Sequence, residues 1–236
     1  MSRSLGNTTF LLTITAYIVV LLFYASLTLR LVHWALREEH NAPGRRRSPA
    51  SVALAVLDIL FLRRLLALNP ILWVGEWVFH VSLGMVLLSH LRFFLHPLAG
   101  FLTIAVPLGK LAAYTMPASL AYILLIRLFA LAFARGYFTS MYNMFLTSVI
   151  LLSSVTGYLL RHVYRADIVS VKDYMTKFFA FNPVEFPDSG LFAAHFVLAL
   201  VVLATIPTHI FAAPLSLLDA GSRQEGIRTL MHDNGE

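Results

Sequence analysis

Four of the nine histidines, His80, His90, His195 and His209, fall inside stretches otherwise built from apolar side chains. An ionisable group in such a stretch is costly and normally faces an interior where it has work to do. Neutral imidazole is a common axial ligand of haem iron. Two histidines on each of two segments suit two bis-histidine haems stacked between antiparallel helices. Ten residues separate His80 from His90, and fourteen separate His195 from His209. At the helical rise these intervals are about 15 Å and about 21 Å, a mismatch that helix tilt absorbs. At ~100° per residue each pair stays within about a quarter turn, so both members can face one partner helix. Opposed helix directions then match His80 with His209 and His90 with His195. Taken one at a time, each histidine also fits a hydrogen-bonded packing or snorkelling role.

Other groups belong with these four. Arg127 interrupts the apolar run YILLIRLFALAF, and the propionates of a haem between His80 and His209 would be suitable partners. Snorkelling to the interface is the plainer alternative. Glu76 lies one turn before His80 and suits either a role behind that ligand, a proton path or an interfacial position. Gly84, between His80 and His90, would let a porphyrin approach the backbone or let helices pack. Trp34, Trp73 and Trp77 fit an aromatic belt.

These residues need elements to position them. The chain has 236 residues, 58% of them hydrophobic and 13% charged, and its mean hydropathy is +0.76. A soluble domain is roughly 45–50% apolar and about 25% charged, so lipid is the expected solvent. A span of the hydrocarbon core takes roughly 20 apolar residues. Five stretches qualify, over about 10–33, 71–91, 116–133, 141–160 and 191–213. The expected fold is all-α, an integral membrane five-helix bundle forming one domain over 1–236. No internal repeat is apparent. The run SVALAVLDILFLRR is apolar but too short to cross, and reads as an interfacial helix before the second span. The linker YRADIVSVKDYMTKFFAFNPVEFPD should fold over one membrane face. The first span lacks the features of a cleavable signal and reads as a retained anchor.

Charge and cysteine usage narrow the function. The net charge of +6 comes from basic residues beside apolar spans, where they set topology and meet anionic lipid rather than nucleic acid. Arg30, Arg37, Arg45, Arg46, Arg47, Arg63 and Arg64 make the loop after the first span the densest basic cluster. That loop is expected in the cytoplasm, with the N-terminus outside and the tail carrying Arg223 and Arg228 inside. There is no cysteine, which excludes c-type haem attachment, thiolate-held iron–sulfur clusters and disulfides within this chain.

The segments FHVSLGMVLLSH and AAHFVLALVVLATIPTH resemble the gamma subunit of respiratory nitrate reductases and the related membrane cytochromes of sulfite-reductase-associated and heterodisulfide-reductase-like complexes. The likeness spans all five helices. It implies two b haems held by the second and fifth helices, with His80, His90, His195 and His209 at the matching positions. It also implies quinol oxidation, with menaquinol the expected quinol, near the outer haem, and electron delivery to a cytoplasmic iron–sulfur or iron–sulfur/flavin partner. The phrase DIVSVKDYMTKFFAFNPVEFP looks closer to the sulfite-reductase-associated branch. Lys110 matches the family lysine near the outer haem and the quinol pocket. The fifth-helix spacing departs from the nitrate-reductase form by one helical turn.

A quinol yields two electrons and two protons whereas haem b passes one electron at a time, so a quinol site needs proton-accepting groups beside one haem. Lys110, Arg161 and His162 are the candidates, against interfacial roles for each. Three other functions compete. The same cytochrome can run in reverse as a quinone reductase, a haem-free transporter can line an ion path with these His and Arg side chains, and a passive anchor subunit can tether a peripheral enzyme.

Overall fold

In lipid, a backbone can pair its N–H and C=O groups only within helices or closed barrels, and the long apolar runs of this chain take the first course. A computed structural model describes residues 2–36, 49–94, 100, 104–133 and 141–209. Its α-helices are α1 (Ser2–Ala35), α2 (Pro49–Phe61), α3 (Arg63–Leu68), α4 (Pro70–His90), α5 (Ala105–Phe133), α6 (Met141–His162), α7 (Ile168–Phe179) and α8 (Gly190–His209). Five of them are long and apolar enough to cross a membrane, over Thr9–His33, Pro70–Phe93, Val106–Ala130, Met141–His162 and Gly190–Pro207. The protein is an all-helical, multi-pass membrane protein. Its spans expose many large apolar side chains, as Leu21 (70% exposed), Leu87 (60%) and Phe129 (62%) illustrate. The basic residues Arg37 and Arg45–Arg47, the tail with Arg223 and Arg228, and the expected end of the fifth span beyond His209 lie outside the described residues.

The third span begins earlier than its expected start near Met116. Pro107 sits in the first turn of α5, where a missing N–H costs nothing, and Pro117 is carried inside the helix. Gly109 and Lys110 therefore belong to the span. The stretch before the second span is helical, in two pieces, α2 and α3, separated at Leu62, which takes a left-handed conformation with φ 47°.

The described residues form two compact units: one of the chain up to Val19 with Val74–Val202, the other of Val20–Trp73 with the chain from Leu203 onward. In the second unit, Asn69 precedes Pro70, and its Oδ1 accepts from Leu72 N at 3.0 Å. An Asn cap followed by Pro is a strong start signal for α4. The Trp73 indole donates to Phe61 O at 2.7 Å, tying α4 to the end of α2.

In the first unit, α4 and α5 run antiparallel and meet through small residues. A Cβ on Gly109 would collide with the side chain of Ser89, and one on Gly75 would come within 2.6 Å of the Tyr122 ring. Between these points Ser82 and Thr115 share a hydrogen bond of 2.7 Å. Small residues let backbones approach closely where lipid gives no hydrophobic incentive for helices to associate. The linker after α6 forms α7, whose start is capped by the Asp167 carboxylate accepting from Val169 N and Ser170 N. Its apolar face packs Tyr174 and Phe178 into a core with Ala16, Phe196 and Leu200. There Tyr17 stacks on Phe178 at 4.3 Å and donates its hydroxyl to Phe178 O at 2.8 Å.

Candidate functional site

A histidine ring on a helix can turn its Nδ1 back onto the carbonyl four residues earlier. His80 does this to Glu76 O at 2.6 Å, and His90 does it to Val86 O at 2.7 Å. A carbonyl oxygen can only accept, so each Nδ1 carries the proton and each Nε2 presents its lone pair. His195 reaches the same state across helices. Its Nδ1 donates to Ser153 O on α6 at 3.0 Å and lies 3.0 Å from Thr156 Oγ1. Three histidines on two helices thus share one tautomer. Metal-bound histidines characteristically hold the second ring N–H on a carbonyl or carboxylate, which fixes ring orientation.

The space around His195 is shaped for its ring. A Cβ on Gly157 would stand 3.1 Å from His195 Cε1, so that α6 position leaves the room the ring occupies. His90 and His195 lie close enough to interact electrostatically, and Arg92 and Arg161 lie within the same range of His90. The His80 and His90 side chains are exposed on α4. Two Nε2 lone pairs on α4, with a third on α8, fit the imidazole donors that haem iron takes. His209 closes α8 in the second unit, and its side chain lies outside the described residues. The structure therefore brings together the expected His90 and His195, while for the other pair it describes His80 alone.

Beside the His90–His195 pair lies a polar and aromatic cluster. His162 packs between Tyr114 and Tyr158, with ring centroids 4.9 Å and 4.8 Å away. Its Nδ1 is 3.4 Å from the Tyr114 hydroxyl, and its Nε2 is buried with no hydrogen-bond partner, as is Arg92 Nε. The Arg92 guanidinium lies 4.8 Å over the Phe93 ring. Lys110 is exposed on α5 one turn before Tyr114. Arg92, Tyr114 and Tyr158 were not among the candidates from sequence. The available signal was helical spacing, since Tyr158 lies one turn before His162 and Tyr114 one turn after Lys110.

Arg127 is held by protein groups on two helices. One terminal nitrogen donates to Glu76 Oε1 at 2.7 Å, and the other donates to Thr147 Oγ1 at 2.8 Å and to Asn143 O at 3.3 Å. The side chains of Glu76 and Arg127 are 13% and 19% exposed, so the pair is largely withdrawn from the surface. It joins α4, α5 and α6 next to His80, whose Nδ1 lies 4.0 Å from Glu76 Oε2.

No protein-family profile matches the chain. Two relatives do. Over 244 aligned positions the chain is 26% identical to an Hdr-like menaquinol oxidoreductase cytochrome b-like subunit of Archaeoglobus fulgidus, covering 82% of this chain and 73% of that one. Over 153 positions it is 29% identical to the subunit of the same description from Archaeoglobus profundus, covering 58% and 44%. These are distant homologues.

Proposed function

We propose that the chain is a b-type cytochrome subunit of a membrane quinol oxidoreductase. It takes electrons from a quinol, menaquinol by the name of its relatives, and passes them to a cytoplasmic redox partner. The observation that carries this reading is the common state of His80, His90 and His195: each Nδ1–H is held by a carbonyl and each Nε2 is left to bind. A transporter would have no need for one tautomer at three intramembrane histidines. His90 and His195 would hold one haem b, and His80 with His209 a second.

Bound haem b would supply one-electron transfer within the membrane. The protein's own task is to orient its ligands and to handle quinol protons. The hydrogen bonds at Nδ1 stop each imidazole from rotating about its Cβ bond. His162 would accept a quinol proton, its Nε2 having no hydrogen-bond partner and its Nδ1 facing Tyr114. Lys110 and Arg161 supply positive charge nearby and favour an anionic headgroup. Arg127 has guanidinium N–H groups beyond those bound to Glu76, Thr147 and Asn143, and these would serve a propionate of the His80 haem. The basic loop after the first span favours a cytoplasmic position for α2 and α3, with the N-terminus outside. That orientation places the His90–His195 end and its quinol site outward. Because the chain has no cysteine, the iron–sulfur or iron–sulfur/flavin partner would be a separate subunit.

The test is a reduced-minus-oxidised visible spectrum of purified protein with a pyridine haemochrome count. Two haems b per chain are expected, falling to one in His195→Ala. A haem-supplied preparation with no haem would overturn the reading in favour of a transporter or anchor.

A further inference from the structure

Among the side chains of the five spans, Glu76 is the single acidic one. A carboxylate there is costly unless it is paired, and Arg127 pairs it at 2.7 Å. A helix staple alone does not account for where the carboxylate sits. His80 and His90 are alike in donating Nδ1 to the main chain four residues earlier, but the residue at that position is Val86 for one and Glu76 for the other. Around His195 the corresponding groups are Ser153 O and Thr156 Oγ1, both neutral. The three rings thus share a hydrogen-bonding state and differ in the charges beside them: the Glu76 carboxylate lies 4.0 Å from His80 Nδ1, whereas the charges within electrostatic range of His90 are the positive Arg92 and Arg161.

We propose that Glu76, held in place by Arg127, is a positioning and tuning residue that lowers the reduction potential of the haem bound through His80 and leaves the other haem untouched. The inference rests on the proposed di-haem reading. A negative charge beside the Nδ1–H of a ligand imidazole increases electron donation through Nε2 and stabilises the more positive, oxidised metal. Arg127 fixes the distance of the carboxylate, because its guanidinium is anchored on Thr147 and Asn143 of a third helix. The pair is neutral overall, but Arg127 takes Glu76 Oε1 while Oε2 is the oxygen 4.0 Å from His80 Nδ1.

The experiment is a spectroelectrochemical titration of the full-length membrane protein, wild type against Glu76→Gln, with the two haems assigned by repeating both titrations in His90→Ala. The expected result is an upward shift of one midpoint potential, retained in His90→Ala, with the second potential unmoved. Glu76→Gln/Arg127→Gln replaces the ion pair by an amide pair and covers the case in which the single variant does not assemble; an upward shift of the same midpoint is expected, smaller than in Glu76→Gln because a positive charge is lost with the negative one. Unchanged potentials, or equal shifts of both haems, would overturn the inference and leave Glu76 a structural staple. Such a result with two haems in the wild type defeats this inference alone, whereas a wild type without haem defeats the di-haem reading and this inference with it.

Discussion

The tautomer shared by His80, His90 and His195 depends on specific acceptors, and those acceptors can be removed. His195 is the informative case because its partners lie on another helix. Thr156→Val removes one neighbour of Nδ1 and leaves Ser153 O, so haem retention at that site should weaken by up to about tenfold, the low end for loss of a group behind a metal ligand. Gly157→Leu is harsher, because its Cβ would already press on Cε1 of His195. It should abolish one haem while circular dichroism still reports full helix content. Equal haem content in Gly157→Leu and wild type would remove His195 from the ligand set. The four histidines were legible in the sequence because their type is out of keeping with apolar surroundings. Arg92, Tyr114 and Tyr158 were not, because a lone Arg at a span end and a Tyr within a span are ordinary there. Only the packing of α5 on α6 shows that Tyr114 closes on His162 from the other helix.

Helix seams carry the next set of expectations. Ser82–Thr115 is one hydrogen bond between helices in lipid, so Ser82→Ala should cost under about 1 kcal/mol. Gly109→Leu forces α4 and α5 apart at Ser89 and should lower thermal stability far more, measured as the melting temperature in detergent. Opening the Glu76–Arg127 pair from one side with Arg127→Ala should cost about 3–5 kcal/mol, because it strands a largely buried carboxylate. On α7, Asp167→Ala removes the cap from two backbone N–H groups and should cost about 1 kcal/mol. In the same element, burial pushes the Tyr174 phenol up from its usual value. The folded state holds that proton more tightly than the unfolded chain. Its contribution is therefore complete below about pH 10 and lost as pH rises through the folded value. Tyr174→Phe should flatten the alkaline limb of a stability–pH profile. The sequence identified all five spans but placed the third one late. Pro107, Gly109 and Lys110 look like breakers along a line, while in the fold Pro107 sits in the first turn of α5 and Gly109 is a contact with Ser89.

For the molecule as a whole, orientation is the property that decides which end would meet quinol under the proposed function. The absence of cysteine makes it directly measurable, since any single introduced thiol is the only one present. With the N-terminus outside, Ser170→Cys on α7 should react with an impermeant maleimide added to intact cells. Ala67→Cys on α3 should react only after the membrane is opened. The reverse pattern would invert the proposed electron path. Composition made the membrane setting plain, because so few charges cannot cover a soluble surface, whereas the division between two units had no signature along the chain.

The attachment points of the three rings also differ in kind. His80 and His90 are latched to carbonyls of their own helix, so their orientation travels with α4 as a rigid body. His195 rides on α8 but is latched to α6. Any slide of α8 past α6 is thereby converted into torque on a single imidazole, and a subunit docking against α8 would register at His195 as a twist of the ring.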